Sequence, residues 1–147
     1  MVDLIMRTET SEADFGSLDL RFHHVGVACR DLDVEMGPLL IMGYHVEEND
    51  FIDPIQGVRG RFLSGQSPRL ELLVALPGSR VLDPWLKSSA RFYHLGYETP
   101  SLQQAISTLL ARDAILAVEP VQSVAFPGRR IAFLMLPTML LIELIGP

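Results

Sequence analysis

Arg21-Phe22-His23-His24-Val25-Gly26-Val27 and Arg91-Phe92-Tyr93-His94-Leu95-Gly96-Tyr97 are two versions of one phrase, 70 residues apart. Other matches follow in the same order. Leu39-Leu40 answers Leu109-Leu110 at the same offset, and Asp53-Pro54-Ile55-Gln56-Gly57-Val58 answers Glu119-Pro120-Val121-Gln122-Ser123-Val124 at 66. Arg61-Phe62-Leu63 answers Ala132-Phe133-Leu134 at 71, and Leu70-Glu71-Leu72 answers Ile142-Glu143-Leu144 at 72. Matches in a constant order mark a tandem duplication with small insertions and deletions. Two copies of about 55 residues each make paired modules rather than a solenoid.

Each copy reads as the same run of elements. The alternating stretches His24-Val25-Gly26-Val27-Ala28 and His94-Leu95-Gly96-Tyr97-Glu98 suit strands. In the second copy Ser101 caps a helix whose apolar residues Leu102, Ala105, Ile106, Leu109 and Leu110 recur at three and four, ending near Asp113. The first copy repeats this from Asp31 or Asp33 through Met36, Leu39 and Leu40 to Gly43, with Pro38 interrupting the pattern. Further strands fit around Tyr44 to Glu47, Val58 to Leu63 and Leu70 to Val74, then Ile115 to Val118, Arg130 to Leu134 and Leu140 to Leu144. The predicted unit is βαβββ, twice, with modules at about 21–76 and 91–146 inside one domain, 19–147, and an N-terminal tail at 1–18. Pro77 to Ala90 joins the copies, with a helical turn at Pro84-Trp85-Leu86.

Composition narrows the class. The chain has 147 residues, 48% hydrophobic and 20% charged, the balance of an ordinary globular protein. A chain of this size buries about two thirds of its extended surface, enough for a real core. With 12 Lys+Arg against 18 Asp+Glu and no basic run longer than Arg129-Arg130, nothing stands ready to neutralise a row of phosphates, so nucleic acid is not an expected partner. No apolar stretch approaches the ~20 residues that span a bilayer. The acidic start, with Asp3, Glu9, Glu12, Asp14 and Asp19, does not read as a signal peptide, and a cytoplasmic protein is expected. Cys29 stands alone, which excludes a disulfide framework and reads as packing.

The chemistry-bearing residues fall at equivalent places in both copies. His24 and His94 begin their strands, and Glu71 and Glu143 sit inside the last strand of each copy. A Glu within Leu70-Glu71-Leu72-Leu73 or Leu141-Ile142-Glu143-Leu144 is flanked by apolar residues, and a buried carboxylate needs a partner. A metal ion supplies one. Two imidazoles and two carboxylates form a mixed nitrogen and oxygen set suited to Zn²⁺, Ni²⁺, Co²⁺, Mn²⁺ or Fe²⁺. Strand alternation sends His23 to the face opposite His24, where it is solvated or packed, and Tyr93 takes its place in the second copy. His45 reads as a surface residue, and the matched Gln56 and Gln122 as a shared structural turn.

The paired H-x-G strands and the (L/I)-E-L strands resemble the vicinal oxygen chelate superfamily, also called the glyoxalase/bleomycin-resistance fold, over about residues 21–146. The resemblance implies an α+β fold in which tandem βαβββ modules form a cupped, barrel-like mixed sheet around one divalent ion, Zn, Co, Ni or Mn. The implied ligands are His24, Glu71, His94 and Glu143. Within the superfamily, His24-Val25-Gly26-Val27-Ala28, Gln56-Gly57-Val58, Leu70-Glu71-Leu72-Leu73 and Tyr93-His94 most resemble the methylmalonyl-CoA epimerases. Those enzymes move the proton α to a thioester while a metal stabilises the enolate oxygen, chemistry that suits a divalent ion and two bases. The chain departs from them at Gly60, between Arg59 and Arg61, where the epimerases often carry a Glu base. One base is then missing unless Glu71 or Glu143 is both ligand and catalytic group, as in glyoxalase-type members.

The expectation is thus a divalent-metal-dependent isomerase or epimerase acting on a small molecule, such as a CoA or carrier-protein thioester, with a homodimer as the assembly the resemblance implies. Arg59, Arg61, Arg129 and Arg130 are candidates for gripping an acid group of the substrate, with solvated positions as the alternative. The loops at 49–54, 64–68 and 120–128 set specificity. A glyoxalase-type lactoylglutathione lyase is the nearest enzymatic alternative. A metal-free small-molecule binding or resistance protein is the other, although it has no need of two His and two Glu in matched places.

Overall fold

A computed structural model describes residues 18–147, so the expected tail lies, up to residue 17, outside the described residues. The first module runs β1 (Arg21–Cys29), α1 (Leu32–Ile41), β2 (His45–Val46), β3 (Phe51–Asp53), β4 (Val58–Ser64) and β5 (Leu70–Ala75). A short helix, α2 (Asp83–Lys87), lies in the connection. The second module runs β6 (Phe92–Glu98), α3 (Leu102–Leu110), β7 (Ile115–Gln122), β8 (Arg130–Met135) and β9 (Leu141–Ile145). Both long helices begin where the sequence places their caps: Asp31 accepts from the amides of Asp33 and Val34, and Ser101 from that of Gln104. Pro38 is accommodated inside α1 at the loss of one bond, the one its missing N–H would have made to the carbonyl of the exposed Val34.

Among the described residues one sheet of nine strands carries the arrangement, in the order β2-β4-β5-β1-β6-β9-β8-β7 with β3 paired to β4. Its middle is the antiparallel pair β1 and β6, one strand from each module. Each of these has its own module's last strand, β5 or β9, parallel on the other side. The order reads the same from the centre outward in both directions, as a duplication requires, and the open mixed sheet curls into a cup that carries α1, α2 and α3. The first module inserts one piece the repeat did not announce. Phe51–Asp53 pairs with β4 as a separate short strand, because Asp53 turns the chain: its Oδ1 accepts from the amides of Ile55 and Gln56, and Gly57 closes the turn at φ +74°. In the second module the corresponding stretch stays in β7, which two register shifts bend instead.

Three apolar clusters follow from strand alternation. Leu32 and Met36 of α1 pack on Cys29, Leu63 and Leu72, on the outer face of the first half. Ala105 and Ile106 of α3 pack on Ala132, Leu134, Ile142 and Leu144 in the same way on the second. Inside the cup lie Ala28, Val58, Leu73, Tyr93, Ile131, Phe133, Leu141 and Ile145. β9 is therefore buried along its whole length, which makes Leu-Ile-Glu-Leu-Ile continuous apolar sequence with one exception, Glu143. Among the described residues no helix is long and apolar enough to cross a membrane.

Candidate metal centre

The exception on β9 and its counterpart on β5 both face the floor of the cup. Pairing puts Glu71 beside Gly26 and Glu143 beside Gly96, while His24 lies across from Gly96 and His94 across from Gly26. The four residues are each at most 4% exposed. His24 Nε2 lies 2.9 Å from His94 Nε2 and 3.1 Å from Glu143 Oε2, and His94 Nε2 lies 2.9 Å from the same oxygen. Glu71 Oε1 stands 3.7 Å from His24 Nε2 and 3.4 Å from His94 Nε2. One donor atom from each residue falls within 4.8 Å of all the others.

Most of those separations match the edges of a coordination shell. Bonds of about 2.1 Å set neighbouring donors about 3.0 Å apart at right angles and about 3.4 Å apart at tetrahedral ones. As a purely hydrogen-bonded cluster the arrangement is poor. Glu143 Oε2 is buried and accepts no well-aligned hydrogen bond, although two ring nitrogens crowd it. A buried, unsatisfied acceptor costs about 1–3 kcal/mol, more when charged, and a cation at the common centre removes that cost. The residues fit a divalent ion.

Without the ion, the environment splits the two carboxyls. Burial pushes Glu71 up to about 8 against the pull of His24, with Glu143 and Asp53 pushing the same way as burial. Glu143 is equally buried, yet the His24 and His94 nitrogens hold it below the ordinary carboxylate range. His24 is raised because Glu71 and Glu143 outweigh its burial, and His94 is lowered because burial wins. In the metal-free cluster the two carboxyls are thus pushed in opposite directions, Glu71 toward its protonated form and Glu143 toward its anion.

The pocket beside the cluster is lined by Phe51, Asp53, Gln56, Tyr93 and Ser123 together with Glu71, His94 and Glu143. Gln56 was expected in a structural turn; it is in that turn and on the pocket wall, whereas Gln122 is exposed at the end of β7. Asp53 and Ser123 sit on the matched segments that precede β4 and β8, so the repeat itself pointed to them. Gly60 faces the cup, and a Cβ there would collide with the ring of Phe51. The space that a side chain at this position would need is occupied by an aromatic ring.

Two expectations change. His23 does not face away from His24. A bulge in β1 sets His23 and His24 together against Gly96, which breaks the alternation, and the two rings sit edge to face at 5.0 Å with their Nδ1 atoms 2.8 Å apart. Tyr93 is bulged into the cup by the matching irregularity in β6.

Of the four arginines, Arg59 and Arg61 alternate with Val58, Gly60 and Phe62 and so leave the cup. Both bind Asp50, and Arg61 also binds Asp33 of α1 at 3.0 Å. Arg129 donates to the Gly146 carbonyl and to Glu98, and Arg130 donates to the Pro120 carbonyl. None of the four lines the pocket. Arg61→Met is therefore expected to lower stability by about 1 kcal/mol, for the lost pairs to Asp50 and Asp33, and to leave metal uptake unchanged. Urea unfolding beside a metal titration checks both halves.

The family model described as Glyoxalase/Bleomycin resistance protein/Dioxygenase superfamily matches residues 23–133. No curated protein matches the chain. Among solved structures, methylmalonyl-CoA epimerase from Mycobacterium tuberculosis is similar at 25% identity and a TM-score of 0.71, over 86% of this chain and 87% of its own. A hypothetical protein from Bacillus halodurans is similar at 22% identity and 0.72, over 88% and 95%. The Streptomyces coelicolor methylmalonyl-CoA epimerase, solved with 2-nitronate-propionyl-CoA, is similar at 23% identity and 0.66, over 86% and 96%. The latter two show the shared fold. With the family model covering well over half of the chain and reaching from the His23-His24 bulge to Phe133, the chain belongs to the glyoxalase/bleomycin resistance protein/dioxygenase superfamily.

Proposed function

We propose that this protein is a divalent-metal-dependent enzyme that enolises an acyl substrate, in the manner of the methylmalonyl-CoA epimerases it resembles. The convergence of His24, Glu71, His94 and Glu143 on one buried point carries the reading. These four would hold the ion through the two Nε2 atoms and one oxygen of each carboxylate. An ion so held supplies a positive charge against which a substrate carbonyl oxygen can become negative.

The remaining steps belong to the chain. Glu143, the carboxyl kept anionic, takes the proton from the carbon α to the carbonyl. Glu71 comes from the other module; a proton that it picks up from solvent, not the one it loses on binding the ion, would reach the opposite face and invert the carbon, with Glu143 passing the proton it took to solvent. Val58, Leu73, Ile131 and Phe133 keep the pocket apolar, which strengthens every charge interaction inside it. An acyl-CoA thioester is the substrate class, since similar epimerases are solved with methylmalonyl-CoA and with a propionyl-CoA nitronate. A homodimer is the assembly that goes with this reading.

One observation favours the lyase alternative. With Phe51 filling the space at Gly60, a carboxylate base that is not also a ligand has no room there, and a one-base proton shift between adjacent carbons fits that economy. Elemental analysis of the purified protein, followed by α-proton exchange on methylmalonyl-CoA in heavy water, tests the main reading. About one ion per chain with exchange at the α carbon supports it. One ion without exchange, but with turnover of a hemithioacetal of glutathione, moves the assignment to the lyase.

Metal uptake is also expected to strengthen with pH. Glu71 holds its proton up to about 8 in the metal-free chain, and a ligand must give up its proton to bind. Below that value the apparent affinity rises by about tenfold per pH unit for each ligand still protonated, Glu71 and the raised His24, and each ion bound releases those protons. A zinc titration in weak buffer with a pH indicator measures both.

A further inference from the structure

The bulges before the two histidines leave them unequally supported. On the first side, His24 Nδ1 has His23 Nδ1 at 2.8 Å. On the second, His94 Nδ1 is buried with no hydrogen-bond partner among the described residues, because Tyr93 stands where His23 does and packs edge-on between His94 and Trp85.

We propose that His23 is a positioning residue for the metal centre, accepting the His24 Nδ1 proton and so leaving the His24 Nε2 lone pair free to bind the ion. The proposal rests on the metal reading above. A neutral imidazole carries one proton, and a ring that binds metal through Nε2 carries it on Nδ1. His24 is fully buried, so that Nδ1–H needs an acceptor inside the protein. His23 stands at hydrogen-bonding distance in a fixed pose. Its ring meets Phe62 and Phe126 edge to face, at 5.9 Å and 5.1 Å between centroids, and both phenylalanines also lie against His24. The bulge brings His23 to this side of β1; regular alternation would turn it away. Partners of this kind set the orientation and basicity of a ligating imidazole, and their loss typically weakens metal binding about 10–100-fold.

Two substitutions separate the hydrogen bond from packing. His23→Phe keeps an aromatic ring between Phe62 and Phe126 and removes the acceptor. His23→Asn places an amide oxygen at the position of Nδ1 and keeps it. Zinc affinity is read by chelator competition, and nitrogen-15 NMR of the zinc-loaded and metal-free proteins reports which His24 nitrogen holds the proton. Zinc affinity is expected to fall about 10–100-fold in His23→Phe and to stay within about threefold of wild type in His23→Asn, with a well-defined Nδ1–H tautomer in wild type and Asn alone. Wild-type affinity and an unchanged His24 tautomer in His23→Phe would overturn the proposal and leave the metal reading standing. Equal losses in both variants would overturn it too, since packing would then be the cause. A wild-type protein that takes up no zinc would sink the metal reading and this proposal together.

Discussion

Glu143→Gln is expected to slow α-proton exchange on an acyl thioester by about 10²–10⁴-fold while the protein keeps most of its metal. The amide retains an oxygen at the position of Oε2, 2.9–3.1 Å from the two ring nitrogens, but it cannot accept the substrate's proton. Glu143→Ala is expected to lose metal and exchange together, because His24, His94 and Glu71 are then left with an empty corner in a fully buried site. Deuterium incorporation by mass spectrometry and elemental analysis, on the same preparations, separate the two effects. Full exchange in Glu143→Gln would move the base elsewhere, with Glu71→Gln as the next variant to measure. Ligand binding that survives Glu143→Ala undiminished would favour the metal-free binding alternative.

Much of the fold was legible because the chain says it twice. A single apolar run such as Leu141 to Ile145 cannot distinguish a buried strand from part of a helix, but its agreement with Leu70 to Val74 at a fixed offset aligned the two modules. The four donor residues were legible for the same reason. A Glu in an apolar strand is an anomaly, and the same anomaly in both copies is a pattern.

What escaped the sequence lies where the period of two fails. His23 follows strand alternation on paper, and the inserted residue of a bulge carries no residue-type signature, so neither its turn toward His24 nor that of Tyr93 could be read. The arginines illustrate a different limit. Their alternation with Val58, Gly60 and Phe62 was readable, but which face looked into the cup depended on whether Val58 or Arg59 was inward. Asp50 and Asp33, which absorb the charge of Arg61, come from a loop and a helix that only the tertiary fold brings to β4.

The glycines of the two H-x-G phrases yield the second large effect. Antiparallel pairing of β1 with β6 puts each glycine across from the other copy's histidine, and a Cβ built on Gly96 runs into the His24 ring, as one on Gly26 runs into that of His94. Neither position has a positive φ, so an alanine suits the local backbone and even relieves the weakness of glycine in a strand. The whole cost comes from the ring, which is fully buried and cannot step aside without leaving the cluster. Gly96→Ala is therefore expected to destabilise the metal-free protein by about 1–3 kcal/mol through overpacking. It is also expected to weaken zinc binding more than about tenfold, since the imidazole it displaces would be a ligand. A double-mutant cycle isolates the cause: once His24→Ala has emptied the space, adding Gly96→Ala costs nothing or stabilises slightly. Urea denaturation of the four proteins measures the coupling. A penalty of the same size in the His24→Ala background would show that the strand itself rejects a side chain at Gly96. A penalty that vanishes there assigns the glycine of each phrase to the room it leaves for the histidine of the other.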